Sequence, residues 1–527
     1  MKNQKKSANP VQKNGEGGRD QDRFLIIGSG ITGLCAGAML AELGHKVRVL
    51  EAHPQYLGGH SRTLTFNDVK FSAGPQFVWN FVAGEDPVSR RVLRFLGIEG
   101  AVPFQTFDPN CQDRFFLGNQ EPVDIPKGLS EFSGLLASKY PGEKRNIEKF
   151  FKYLEALFQG SVVLHDRGVY LTHQGKMILE IARSDRLRLF QKLKIARFYN
   201  ATLADMFNAF QLSPEVKRIL YAHGGIFAEN ANQISAGVYA AATGYCHQGI
   251  AFPTRGFESL ITELGASIQK NGGDALLGKE VTQIKVEGSH VEGVVCRDGA
   301  TYPCDYLISN IPPRLACRMI PGCSPEGFRY EPSNALVGCY LALKDYPQLH
   351  EIGGKNYWWQ AYPESVDYDN PDLTQEPKML YIGSESENGV RYESQKAGLQ
   401  TLTIFLPGNY QQAKDFYHKG EKEYLGYKKG IANQVVGLLE KRLFPDISSY
   451  LEFIEVVTPM DIQLELGAEA GNVYGRKLDV KNMLRKVKGI KGVDNLKFAC
   501  ATMGTPGIET GFQTAAALIH DLLGVTI

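Results

Sequence analysis

The segment Phe24-Leu25-Ile26-Ile27-Gly28-Ser29-Gly30-Ile31-Thr32-Gly33 constrains the fold more than any other part of the chain. A short apolar run of β character passes without a gap into three glycines spaced Gly-x-Gly-x-x-Gly, and helix formers follow from Leu34 to Leu43. That order predicts a strand, a tight turn and a helix start. Gly28 permits the turn, Gly30 lets the backbone approach a pyrophosphate, and Gly33 lets the helix pack closely on the strand. Ile31 and Thr32 fall in the first turn, where free N–H groups and the helix dipole favour phosphate. Gly44 supplies a helix stop. A second strand over residues 46–50 then delivers Glu51, at about the 20-residue spacing of a carboxylate that accepts hydrogen bonds from an adenosine ribose. Set between two strands and completed by the acid, the fingerprint reads as a dinucleotide site in an α/β fold.

Composition narrows the rest. The chain has 527 residues, 43% hydrophobic and 22% charged, which is the profile of a globular protein with a sizeable core. Its 58 Lys plus Arg balance 57 Asp plus Glu, so no overall field favours nucleic acid. Nine scattered cysteines, odd in number and without a Cys-x-x-Cys pair, argue against a disulfide framework and a zinc site and fit a reducing, cytoplasmic compartment. Residues 1–22 lack an apolar stretch and read as a disordered tail. No run of 18 apolar residues predicts a spanning helix, which leaves peripheral membrane contact open.

NAD and FAD sites share the opening fingerprint, and the residues after Glu51 separate them. Gly58-Gly59-His60-Ser61-Arg62 resembles the second flavin motif of the FAD-dependent phytoene desaturase, carotenoid isomerase and retinol saturase family, within the amine oxidase superfamily. The resemblance implies that the glycine pair passes close to the FAD phosphates and ribityl chain, with His60, Ser61 and Arg62 beside it. The usual family form is Gly-Gly-Arg, whereas Gly59 is followed here by His60-Ser61-Arg62. Phe71-Ser72-Ala73-Gly74-Pro75-Gln76 is similar to the family segment beside the isoalloxazine ring, where an acid commonly replaces Ser72 or Ala73. That similarity places Pro75 at the cofactor. Gln76 is the polar side chain expected to face the flavin, the alternative being that it caps the turn.

Two further blocks return to the cofactor. Strand-like residues 281–286 and 291–296, with turn chemistry at Asp298-Gly299, lead to Asp305–Asn310, which resembles the family's return strand. Relatives use the backbone at the position of Val281 to hold the adenine. Near the C-terminus, Leu496–Cys500 reads as a buried strand, followed by a glycine-rich turn and a helical run from Phe512 to Leu523. The resemblance lays this segment along the flavin and assigns Thr510, Gly511 and Phe512 to cofactor contact. A helix N-terminus there favours negative charge. Cys500 reads as a packed thiol, and Glu509 as a helix cap or an acid–base group.

The implied architecture is a discontinuous Rossmann-like FAD-binding domain, residues 23–85, 251–325 and 456–527. An inserted mixed α+β substrate domain takes residues 86–250 and 326–455. The stripe Ile147, Phe150, Phe151, Leu154, Leu157 and Phe158 suits core or a lipid tunnel. Basic and apolar residues interleave over 183–198, which suits either a lipid-docking surface or a solvated helix. The aromatics of Tyr357-Trp358-Trp359 and Tyr381 suit a substrate wall or ordinary core.

Metal spacing and hydrolase elbows are absent from the sequence, so the flavin is the evident chemical agent. Family resemblance implies an FAD-dependent oxidoreductase or isomerase acting on C–C double bonds of a hydrophobic polyene, either a carotenoid-like isoprenoid or a polyunsaturated fatty acyl lipid. The alternatives are a flavin amine oxidase and a non-catalytic flavoprotein sensor or complex partner. Catalytic residues stay unassigned, with Gln76 and Glu509 as candidates.

Overall fold

A computed structural model describes residues 23–81, 86–166, 174–198, 200–362, 366–392, 398–483, 489–504 and 506–527. The tail expected over residues 1–22 lies outside the described residues.

A five-stranded parallel sheet organises the molecule. Its order is Asp274–Leu276, Lys46–Leu50, Arg23–Ile27, Tyr306–Ser309, Leu496–Phe498. The first strand pairs on one side with Lys46–Leu50 and on the other with Tyr306–Ser309, and the last described strand completes the edge through Leu307 opposite Leu496. Segments from the beginning, middle and end of the chain therefore share one sheet, the discontinuous α/β arrangement that the fingerprints imply.

The pleat explains how the sheet is covered. Successive side chains of a strand point to opposite faces. Phe24 and Ile26 enter a core with the helices Ile31–Glu42, Phe257–Lys270 and Ile508–Leu523. Leu25 and Ile27 enter a second core under an antiparallel three-stranded meander, Val281–Glu287, His290–Cys296 and Thr301–Pro303. The Ile31–Glu42 helix is buried from Thr32 through Ala41, because helices flank it on the sheet face. A helix apolar all round must be enclosed in this way. The Val88–Phe95 helix belongs to the same core, since Val88, Val92 and Leu93 pack there with Phe512. A cut at residue 86 would separate it from the residues it packs on.

The remaining layer is a seven-stranded mixed sheet ordered Leu451–Val457, Ala335–Leu343, Gln400–Gly408, Met379–Gly383, Asn356–Gln360, Asp113–Leu117, Val123–Ile125. Period-two alternation divides its aromatics. Tyr357 and Trp359 join the core under the long helix Glu421–Arg442, whereas Trp358 and Tyr381 face a helical cluster built on Lys144–Asp166 and Ala236–Gln248. The stripe on Lys144–Asp166 is mainly core: Ile147, Phe150 and Leu154 are fully buried, and Phe150 packs on the rings of Phe151, Phe207 and Phe210.

The cysteine reading needs one correction. Cys317 and Cys323 form a disulfide, while the other seven cysteines are free and buried. The pair joins positions only six apart in sequence at the end of the Pro313–Arg318 helix, and an odd total with irregular spacing gives no sign of it.

Phe150 reports on the helical cluster alone. Phe150→Ala should destabilise the protein by about 3–5 kcal/mol. Denaturant unfolding followed by far-UV circular dichroism measures that loss.

Candidate functional site

The site begins where two helix N-termini meet. A Cβ placed on Gly511 would stand 3.0 Å from Thr32 Oγ1 and 3.1 Å from Ile31 Cγ2, so the Ile508–Leu523 helix starts directly against the Ile31–Glu42 helix. Each start exposes backbone N–H groups and the positive end of a dipole. The second glycine motif closes on the same point: Gly58 N–H donates to Ser29 O at 3.1 Å, and a Cβ on Gly59 would be 3.5 Å from Gly30 Cα.

From this junction a cavity of about 510 Å³ extends through the protein. Gly30, Ile31, Thr32, Gly58, His60, Ser61, Arg62, Pro75, Gln76, Glu509, Thr510 and Gly511 line its first part. Gly28, Gly33, Glu51, Gly59, Val281 and Phe512 do not line it. Gly28 makes the turn with φ +88° and donates to Leu50 O. Gly33 is pressed against Gly28 O and Asn310 Cβ, each 2.9 Å from where a Cβ would be. Glu51 ties the loop by accepting from Ser29 N and Oγ (2.9 and 2.5 Å) and from His53 N (2.8 Å). Val281 is buried at the start of the meander. Phe512, expected at the cofactor, instead turns its ring into the core, edge-on to Phe81 at 5.3 Å.

Burial sets the electrostatics here. His60 is held down to about 4, first by burial and then by Arg62, so it is neutral near pH 7. The Arg62 guanidinium is buried, donates to Gly59 O at 3.3 Å and pairs with Glu465. Burial pushes the Glu509 carboxyl up to about 7 against the Ser89 and Gln513 hydrogen bonds, at 3.5 and 3.2 Å, that favour its charge. Its Oε2 is buried without a hydrogen bond. Gln76 donates from Nε2 to Ser72 O at 3.0 Å, and its buried Oε1 has no partner. Burial also pushes the Cys500 thiol up to about 11, the state of a packed, inert cysteine.

Two features were not visible in the sequence. Asn310, the residue after the Tyr306–Ser309 strand, lines the cavity and donates to Ala499 O. A polar residue just beyond the carboxyl end of a parallel strand is the signal that could have marked it. Glu385 accepts from Ser72 N (3.0 Å), Ser72 Oγ (2.6 Å) and Tyr392 O–H (2.8 Å). A carboxylate thus reaches Ser72 from a segment 313 residues away, behind the residues that line the cavity. Burial raises the Glu385 carboxyl despite those donors.

Beyond Gln76 the wall becomes apolar. Trp358, Tyr381 and Phe405 form one side, and Leu157, Val238 and Ala242 from the helical cluster form the other. Behind Trp358 the fold gathers Asp113, His223 and Cys246, all buried, with donor atoms within 4.8 Å of one another. The sequence spacing that gave no metal group could not show this cluster. Asp113 Oδ1 accepts from Trp358 Nε1 at 2.8 Å and Asn356 Nδ2 at 3.1 Å, and Oδ2 lies 3.3 Å from His223 Nε2. Burial raises the Asp113 carboxyl, yet His223, Trp358 and Asn356 together outweigh it and shift it down.

Residues 31–329, more than half of the chain, match the flavin containing amine oxidoreductase family. The chain belongs to this family. As a member it is a flavin-dependent oxidoreductase, and its cofactor is FAD. It is 20% identical to all-trans-retinol 13,14-reductase of Danio rerio over 86% of this chain and 77% of that protein. It is 24% identical to the chloroplastic prolycopene isomerase of Daucus carota over 86% of this chain and 71% of that protein. Among solved structures, putrescine oxidase with bound putrescine superposes at a TM-score of 0.61, with 13% identity, covering 96% of this chain and 99% of that one. That likeness establishes the fold.

The flavoprotein's own geometry fits the cofactor. A Cβ on Gly30 would stand 2.4 Å from Asn310 Oδ1, so any side chain there would have to displace the Asn310 amide, and the orphaned Gln76 Oε1 and His60 Nε2 are buried acceptor or donor atoms on the same cavity wall. Gly30→Ala should lower FAD affinity by roughly tenfold or more. Gly142→Ala, where a Cβ meets nothing within 4 Å, should leave it unchanged. Flavin fluorescence titration of the apoprotein measures both.

Glu509 makes stability depend on pH. Its folded carboxyl keeps a proton up to about 7, whereas the ordinary value is 4.5, so the folded state binds more protons between them and stability falls as pH rises through that window. His60, lowered from 6.5 to about 4, has the opposite slope. The difference in Tm between wild-type apoprotein and Glu509→Gln isolates the first effect. It should decline from about pH 4.5 to about pH 7 and be level on either side.

Proposed function

We propose that this flavoprotein acts on C–C double bonds of a long hydrophobic polyene, by isomerisation or desaturation of a carotenoid-like isoprenoid or a polyunsaturated fatty acyl lipid. One observation carries the reading: a continuous cavity leads from the helix junction into an arm on which, among the described residues, no acidic or basic side chain appears apart from His60, Arg62 and Glu509 at the junction end. Such an arm suits an extended apolar chain, because burying a charge without a partner is costly. Relatives named as a retinol reductase and a prolycopene isomerase support the same substrate class. The amine oxidase reading lacks this support, since Glu509 is the one acidic side chain on the described wall and it sits at the cofactor end rather than along the arm.

The cofactor, when bound, supplies two-electron exchange with the substrate carbon. The chain supplies position and environment. The paired helix starts at Ile31 and Ile508 stabilise negative charge at the junction. In this reading Gly30, Ile31, Thr32, Gly33, Gly58 and Gly59 hold the phosphates, Glu51 serves the ribose, and Thr510 and Gly511 lie along the ring system. Gln76 offers Oε1 as a hydrogen-bond acceptor at the ring, with its amide fixed by Ser72 O. Glu509, its carboxyl pushed up to about 7 by burial and its Oε2 without a hydrogen bond, can take up or release a proton near neutral pH. Trp358 and Tyr381 flank the polyene, and each is anchored from behind: the indole by Asp113 and the phenol by Asn356 at 2.9 Å. Peripheral contact with a lipid surface belongs to the same proposal, as a polyene of this kind resides in membranes.

Anaerobic mixing of the oxidised and the reduced holoenzyme with carotenoid-like and fatty acyl polyenes tests the reading. The expected result is a flavin absorbance change or an altered polyene product. If every polyene leaves both flavin and product unchanged, while FAD remains bound, the chain is a non-catalytic flavoprotein.

Gly237 tests the arm. A Cβ there meets only Ser235 Oγ, at 3.6 Å, so a larger side chain projects into the cavity. Gly237→Phe should retain FAD yet reduce kcat/KM for long polyenes by about tenfold or more relative to short ones. Steady-state kinetics across a chain-length series measures the ratio.

A further inference from the structure

Two helices that close the cavity arm carry a second apolar face on their outside. Ile181 of Gln174–Arg183 and Ile195 of Leu189–Phe198 line the cavity, and Leu187 between the helices is buried. On the outer side Ile178, Leu179, Leu189, Phe190 and Leu193 are 50, 42, 73, 52 and 63% exposed. Of the eleven large hydrophobic residues exposed among the described residues, these five fall between positions 178 and 193. Leu189, Phe190 and Leu193 occupy one side of their helix, and the buried Ile195 and Phe198 occupy the opposite side. The apolar residues that spread around this helix in sequence are therefore two faces, one for the core and one for the outside.

The segment that carries the outer face is rich in positive charge. Residues 178–198 contain six basic side chains, Arg183, Arg186, Arg188, Lys192, Lys194 and Arg197, against the acids Glu180 and Asp185. Six minus two leaves an excess of four, in a chain whose net charge is +1. Lys194 lies over the Phe190 ring at 5.4 Å, and Lys192 Nζ reaches Ala182 O at 2.6 Å, which joins the two helices. Long basic side chains over an apolar face are suited to an interface where the stems are buried and the heads meet anions.

We propose that the outer faces of these two helices dock the protein on an anionic lipid bilayer, placing the apolar arm of the cavity next to the membrane. The proposal rests on the polyene reading for what crosses between the helices, and on exposure and charge for the docking itself. A second copy of the chain is a poor occupant, since a symmetric contact would set this basic face against itself. Among the described residues no helix is long and apolar enough to span a membrane.

The test is flotation of the full-length FAD-loaded protein with vesicles of phosphatidylcholine alone or with about a third phosphatidylglycerol. Wild type should bind the anionic vesicles more strongly, and binding should weaken between about 0.05 and about 0.5 M salt. The triple variant Leu189→Ser, Phe190→Ser, Leu193→Ser should lower vesicle partitioning by about tenfold or more, with unchanged FAD content and unchanged turnover of detergent-dispersed polyene. Arg183→Gln with Arg188→Gln should remove part of the salt dependence. The proposal is overturned if wild type fails to bind anionic vesicles or if the triple variant binds as wild type does. It is equally overturned if the triple substitution instead dissolves a dimer that wild type forms in solution. Turnover in detergent judges the polyene reading separately, so either proposal can fail alone.

Discussion

The near contact of two helix starts, at Ile31 and Ile508, is the constraint on which the rest of the structure depends. Gly511 can lie against Thr32 because it has no side chain, and this approach brings two sets of unsatisfied N–H groups to one end of the sheet. Such a junction concentrates positive potential and calls for a ligand rich in oxygen or able to accept charge. It also fixes the topology: Arg23–Ile27 and Leu496–Phe498 must flank Tyr306–Ser309, so everything between them must leave the sheet and return. The helical cluster and the seven-stranded sheet are those excursions, and the cavity is the space between them and the junction.

Once the excursions are folded back, period-two alternation makes one strand serve two layers. Trp358 faces the cavity while its neighbours Tyr357 and Trp359 pack under the Glu421–Arg442 helix. The aromatic cluster in the sequence is therefore both wall and core, divided residue by residue. The same rule lets Phe24 and Leu25 support different cores.

What could be read from the sequence follows from how local each signal is. Gly28, Gly30, Gly33 and Glu51 are contained in one strand–turn–helix–strand unit, whose spacing is set by backbone geometry, and the structure places them in that unit. The glycine pair at 58 and 59 is equally local. Contacts that join distant segments left no trace: Glu385 on Ser72, Asn310 at Gly30, and the Asp113–His223–Cys246 cluster all arise from chain crossings. Phe512 shows a second limit. A motif gives the position along the chain, but which way a ring turns on the first turn of a helix depends on its neighbours, and here the ring packs edge-on to Phe81. The Cys317–Cys323 pair shows a third, because pairing depends on how a short loop is folded rather than on how many cysteines a chain contains.

The electrostatics of the junction follow from its dryness. His60 and Glu509 are both driven by burial toward their neutral forms, while Arg62 remains a cation supported by Glu465 at the surface. These two groups impose opposite pH slopes on folding, so their contributions partly offset each other where the windows overlap. A junction built from dipoles, one shielded cation, a neutral His60 and a carboxyl poised at about 7 presents little fixed charge to an apolar substrate. It can nevertheless stabilise negative charge that develops near the helix starts, and it can hold a proton at Glu509. This combination explains how one cavity can be polar enough at its base for a charged cofactor and apolar enough along its arm for a hydrocarbon chain. Gln76 and Asn310 are the two side-chain amides on the described wall, and aromatic and aliphatic residues make up most of the rest.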